Sequence, residues 1–167
     1  MPAATRRHSC VRGIHRANAC AVHQRRVGSH HPVADLVFFY GTLMAGFARR
    51  QRAGIDAKLT FRGHGTIRAA LFDLGLYPAA VPDPEGHVRG EVYEMADPEA
   101  ILAALDDIEG YRPGRPDQSL YTRELTDVTL ADGTHAVASV YLYNAPLGQA
   151  PRIASGDYLQ HVNTRSH

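Results

Sequence analysis

Cysteine is missing from the body of this chain. Both Cys10 and Cys20 fall within the first twenty residues, so no disulfide framework holds the remainder, and a reducing, cytoplasmic setting is expected. No apolar run approaches the ~20 residues of a membrane-spanning helix, so the sequence reads as soluble, with no membrane partner. Acidic residues are absent from Met1 to Ala34, where six arginines stand: Arg6, Arg7, Arg12, Arg16, Arg25 and Arg26. The formal charge of +1 less those six leaves about −5 from Asp35 onward. A nucleic-acid-binding domain should carry a basic face, and this mildly acidic one excludes nucleic acid as its partner. Internal repeats are lacking too, which excludes a solenoid or a propeller.

Residues 1–34 are rich in Arg, His and Ala and show no hydrophobic periodicity. They are expected to form a disordered basic extension. Other readings are a transit peptide, a basic arm, a start placed too far upstream, or ligands Cys10, His15, Cys20 and His23, whose spacing matches no zinc pattern. The other 133 or so residues suit one domain over 35–160, with 161–167 as a flexible tail.

Leu36-Val37-Phe38-Phe39-Tyr40 is a short apolar run that stops at Gly41-Thr42-Leu43. Its length and content predict a strand covered on both faces. Gly41 allows close approach of backbone, and a loop of unpaired N–H groups there can cradle an anion. The same residues also fit a plain core strand ending in a turn. Gly46 to Arg52 suits a short helix with Arg49, Arg50 and Arg52 on an exposed face. Lys58 to Leu74 predicts two short strands disturbed by Gly63 and Gly65. Tyr77 to Pro84 is too rich in proline for a central strand and is predicted to be loop. His87 to Met95 alternates as a strand. Asp97-Pro98-Glu99 opens a helix, and Gly110 ends it. Leu120–Ala131 and Thr134–Asn144 form a hairpin around Asp132-Gly133. From Ala145 the chain is expected to be irregular, with a turn of helix near Tyr158. This order predicts an α+β domain with a mixed sheet, curled or closed into a small barrel.

One carboxylate stands out. At 100° per residue, Ile101, Leu105, Leu102 and Ile108 define an apolar stripe, and Glu109 falls inside it at about 80° from Ile101. Asp107 falls on the solvent side and Asp106 on the border. Partial burial, the negative helix end and nearby Asp106 would raise the Glu109 pKa toward a range useful for proton transfer. A frayed last residue pointing outward is equally compatible with the spacing. His64, His87 and His135 lack ligand spacing and read as surface residues, so no metal is called for.

Several segments resemble the γ-glutamylcyclotransferase-like (AIG2-like) family, in its order. They are Tyr40-Gly41-Thr42-Leu43, Gly75 to Ala79, Val88-Arg89-Gly90-Glu91-Val92-Tyr93, Leu105-Asp106 with Glu109-Gly110-Tyr111, Tyr121-Thr122-Arg123, Val140 to Tyr143, and Ser155 to Tyr158, where tryptophan is more usual at the last position. The resemblance covers about Leu36 to Tyr158. It implies a γ-glutamylcyclotransferase-like fold, a mixed β-barrel with a few short helices. It also implies a cofactor-free reaction in which a γ-glutamyl compound closes to 5-oxoproline and releases an amine or amino acid. Glu109 would be the acid/base, with Tyr40, Gly41, Thr42, Leu43 and Tyr141 on the small-molecule substrate. Tyr121 or Tyr141 could add a hydrogen-bond donor. A γ-glutamylamine or γ-glutamyl-acyl substrate is the alternative within the class, and a non-catalytic binding member the alternative outside it. No particular oligomeric state is implied.

Overall fold

The computed structural model describes residues 34–165, and the expectations for the basic extension lie outside them. Strand β1 (Leu36–Phe39) pairs antiparallel with β5 (Val88–Met95) and parallel with β7 (His135–Tyr143). Strand β2 (Leu59–Ile67) joins β5 to β6 (Tyr121–Leu130), and the β6–β7 hairpin closes a five-stranded barrel. Val37, Phe38, Val88, Val92, Val128 and Val140 are buried in its core. Their β-branched and aromatic side chains suit the pleated, covered surface. Phe38 and Phe39 are both buried, as a strand covered on two faces requires.

Two predicted strands emerge shifted. Strand β2 runs straight through Gly63 and Gly65 and absorbs the irregularity as a register shift between Phe61 and Gly63, while the break comes later, before β3 (Ala69–Asp73). The proline-rich segment is not all loop, because Pro78–Pro82 forms β4 and pairs antiparallel with β3 in a separate two-stranded ribbon. Its prolines occupy the first and last positions, where a missing N–H costs the ladder least. The first helix is also shorter than expected. Gly46 has φ 90, outside helical space, so α1 is confined to Arg49–Arg52. Nor is its face wholly exposed: Arg49 is half-buried, and Arg50 is buried against the Tyr93 ring.

Helix α2 (Pro98–Glu109) begins and ends where the sequence predicts. The Asp97 carboxylate accepts from the Ala100 N–H, and Gly110 closes the helix in the left-handed conformation. Ile101, Leu102 and Leu105 are buried. Residues 161–165 are not a loose tail but the last turns of α3 (Tyr158–Arg165). Asp73, 8% exposed, accepts from the Gly75 N–H and meets His161 and Arg165. The hydrogen bond from His161, then those from Gly75 and the charge of Arg165, outweigh burial and hold its carboxyl below the usual range. A depressed carboxyl pKa contributes stability that is complete above the unfolded value near 4 and disappears as pH falls through the folded value. Asp73→Asn is therefore expected to lower stability by roughly 1–3 kcal/mol at neutral pH. Thermal unfolding across pH should show the gap to wild type closing below about pH 4.

Candidate active site

While Cys10, His15, Cys20 and His23 lie outside the described residues, the residues proposed for catalysis and substrate binding meet at one cleft. Tyr40, Gly41, Thr42 and Leu43 line it from the end of β1, Glu109 from the end of α2, and Tyr121 and Tyr141 from the hairpin. Tyr77, Pro78 and Arg49 complete the polar and ring surfaces, and the space is about 380 Å³ including its open mouth.

The loop owes its position to the buried strand before it and a turn after it. Met44 N–H donates to the Gly41 carbonyl at 2.9 Å. The Ala45 N–H donates to Glu91 Oε2 at 2.8 Å, and that same oxygen accepts from Tyr93 Oη. Glu91 is only 7% exposed, so a buried side chain of β5 pins the loop from below. The N–H groups of Gly41, Thr42 and Leu43 have no acceptor among the described residues. Unpaired backbone donors beside a cleft can hold negative charge.

Gly41 is required by contact rather than by conformation. A Cβ placed there would lie 2.6 Å from Pro78 Cγ, so the β4 ribbon and the loop close on each other only because the side chain is absent.

Glu109 is half-buried, and its carboxylate has no hydrogen-bond partner among the described residues. Burial raises its pKa, and the nearby Arg49 charge works in the opposite direction. Asp106 does not contribute as expected, because its carboxylate is turned to other partners. Arg123 Nη1 donates to it at 2.9 and 3.0 Å, and Tyr141 Oη donates at 2.6 Å. One of the two adjacent acids is thus spent on structure and the other is left free.

The tyrosines fill a different role from the donors the sequence suggested. Each hydroxyl has one proton, and each proton is committed: Tyr40 to the Tyr141 carbonyl at 2.7 Å, Tyr121 to the Pro78 carbonyl at 2.9 Å, and Tyr141 to Asp106. What the oxygens retain is acceptor capacity. Burial, reinforced by the Glu109 charge, pushes the Tyr40 and Tyr121 hydroxyls well above their ordinary pKa. For Tyr141 burial is again the main cause, with Asp106 next. All three stay neutral through the working pH range.

Arg49 escaped the sequence reading. Its Nη1 donates to Thr42 Oγ1 at 2.9 Å and its Nη2 to the Ile108 carbonyl at 3.2 Å. It ties the donor loop to the end of α2, one residue before Glu109. No local pattern announces this, since the inward turn depends on Gly46 and on a carbonyl 59 residues away.

A closed five-stranded mixed barrel with short helices, carrying a cleft with a donor loop on one side and a lone carboxylate on the other, defines the class of α+β protein. The family follows from the sequence: the chain belongs to the γ-glutamyl cyclotransferase, AIG2-like family, whose model matches residues 37–160. Among solved structures it is similar to YkqA from Bacillus subtilis, with 23% identity, a TM-score of 0.57, and 80% of this chain covered against 43% of that one. The chain therefore spans less than half the length of YkqA. An AIG2-like protein from Mus musculus is 21% identical, with a TM-score of 0.53 over 72% of this chain and 86% of the other. Protein ytfP from Escherichia coli is 31% identical, with a TM-score of 0.52 over 76% and 98%. The first two likenesses show the fold, and the family rests on the model match. No curated protein matches the sequence. Among the described residues, no helix is long and apolar enough to cross a membrane.

Proposed function

We propose that the chain is a cyclotransferase that converts a γ-glutamyl compound to 5-oxoproline and releases an amine or amino acid, with Glu109 as general acid and base. The observation that carries this reading is a half-buried carboxylate with a raised pKa and no hydrogen-bond partner, in the cleft lined by the unpaired Gly41–Leu43 loop.

The chemistry assigns each part a task. The substrate's α-ammonium is not a nucleophile until it loses a proton, and Glu109 takes it. The freed amine attacks the γ-carbonyl carbon of its own chain, forming the ring C–N bond. Charge moves to the carbonyl oxygen, where the loop N–H groups stabilise it, or they fix the α-carboxylate. Glu109 then returns its proton to the leaving nitrogen as the old C–N bond breaks. It also takes up the second proton that the ring nitrogen carries after the attack and passes it on to the released amine. A neutral lactam and an ammonium leave, and the carboxylate is regenerated. A raised pKa suits a group that must both accept and donate near neutral pH. The reaction is already intramolecular, so the cleft mainly holds the glutamyl chain folded in attack geometry.

The leaving group distinguishes γ-glutamyl amino acids from γ-glutamylamines and γ-glutamyl-acyl compounds. The test is incubation of the purified full chain with a panel of all three and chromatographic detection of 5-oxoproline together with the released amine. Equimolar appearance of both from any member supports the proposal. Absence of 5-oxoproline from every member overturns it in favour of a binding protein.

A further inference from the structure

We propose that Arg49 is the anchor for the substrate's α-carboxylate, so that the cleft selects γ-glutamyl compounds whose α-carboxyl group is free. This rests on the cyclotransferase reading for its substrate, but it is tested by binding alone.

No direct ion pair among the described residues answers the Arg49 charge, although the Glu109 carboxylate lies near enough to feel it. Arg49 is half-buried, and its two hydrogen-bond partners, Thr42 Oγ1 and the Ile108 carbonyl, are neutral oxygens. None of the ion pairs among the described residues includes it. Its neighbour Arg50 is treated differently, paired with Asp56 at 3.2 Å and lying over the Tyr93 ring. A partly desolvated guanidinium whose hydrogen-bond partners are all neutral is held at a cost that an anionic ligand would offset. Two bonds to opposite walls of the cleft fix its plane, and three of its five N–H donors remain for a ligand.

The complement is also specific. Among the described residues, Arg49 and Glu109 are the only charged side chains lining the cleft. An α-amino acid carries both opposite charges on one carbon, so a single ligand satisfies both groups: carboxylate to Arg49, ammonium to Glu109. Asp106 does not compete for the cation, being held by Arg123 and Tyr141. With the carboxylate on Arg49, the N–H groups of Gly41, Thr42 and Leu43 are left for the γ-carbonyl oxygen. Each polar feature of the cleft then has one task.

The probes are L-glutamine, the smallest γ-glutamyl amide, and its α-carboxamide, which replaces the carboxylate by a neutral group of the same shape. They are compared at a pH low enough to keep both α-amines protonated. Calorimetric titration of the wild-type chain should show glutamine binding about 10- to 100-fold tighter than the carboxamide. Arg49→Met should abolish that preference, and Arg49→Lys should recover part of it, since charge is kept but the two-walled fork is lost. Equal affinity of the wild type for the two ligands, no binding of either, or a preference that survives in Arg49→Met would overturn the assignment. The wild-type comparison needs no variant to fold. The cyclotransferase reading is decided separately by 5-oxoproline: a wild type that prefers the free carboxylate yet forms no 5-oxoproline retains the anchor and loses the reaction.

Discussion

Glu109→Gln is expected to reduce 5-oxoproline formation by about 10²- to 10⁴-fold, the range spanned by loss of a positioned general acid/base. The amide keeps the size and shape of the side chain, so the barrel has no reason to change. The same substitution should raise the unfolding temperature at neutral pH. Burial puts the folded-state pKa of Glu109 above its ordinary value, so ionisation is penalised in the folded chain and free in the unfolded one. The penalty is fully present above the folded pKa and vanishes as pH falls below the unfolded value near 4.3. Replacing the carboxyl should therefore stabilise the protein at pH 7 and have no such effect in acid. Loss of rate with gain of stability is what a site maintained against the preference of the fold should show. Steady-state kinetics and calorimetric unfolding at the two pH values check both halves.

Gly41→Ala should cost nearly as much by another route. The added Cβ would meet Pro78 Cγ at 2.6 Å and Cδ at 3.0 Å. Pro78 has little room to yield: its ring is rigid, it opens β4 opposite Asp73, and its carbonyl accepts from Tyr121. The loop has to retreat instead, taking the N–H groups of Gly41 to Leu43 with it. A displacement of about 1 Å from attack geometry can cost about 10²-fold in kcat/KM. The strain should lower stability by about 1–3 kcal/mol. Pro78→Ala, which removes Cγ and Cδ, should restore much of both losses when combined with Gly41→Ala, while costing more than it restores in the wild-type background. That coupling, read from a double-mutant cycle, separates a steric cause from a conformational one.

Much of this was legible in the sequence because it is local. An apolar run ending in Tyr40-Gly41-Thr42-Leu43 gives a buried strand and the loop that follows it. Asp97-Pro98 and Gly110 punctuate α2 through capping and backbone preference, and the helical period places Glu109 on the buried side. The parts that were not legible depend on distant partners. Strand β4 exists because β3 lies beside it and because its prolines fall at the ends of the ladder. Residues of the expected tail are helical, with His161 and Arg165 reaching Asp73, about ninety residues earlier. Arg49 reads as one of three exposed arginines until the Ile108 carbonyl and Thr42 are placed around it. The division of labour between two neighbouring acids is likewise tertiary. Asp106 is taken by Arg123 and Tyr141 from the hairpin, and this leaves Glu109 as the free carboxylate.

The central claim is that the substrate's own amine, and not water, attacks the γ-carbonyl. It is tested most directly by turnover of a γ-glutamyl compound in ¹⁸O-labelled water with mass analysis of the products. The account predicts 5-oxoproline carrying no solvent oxygen, together with one equivalent of released amine. Glutamate bearing one solvent oxygen would show hydrolysis and contradict it.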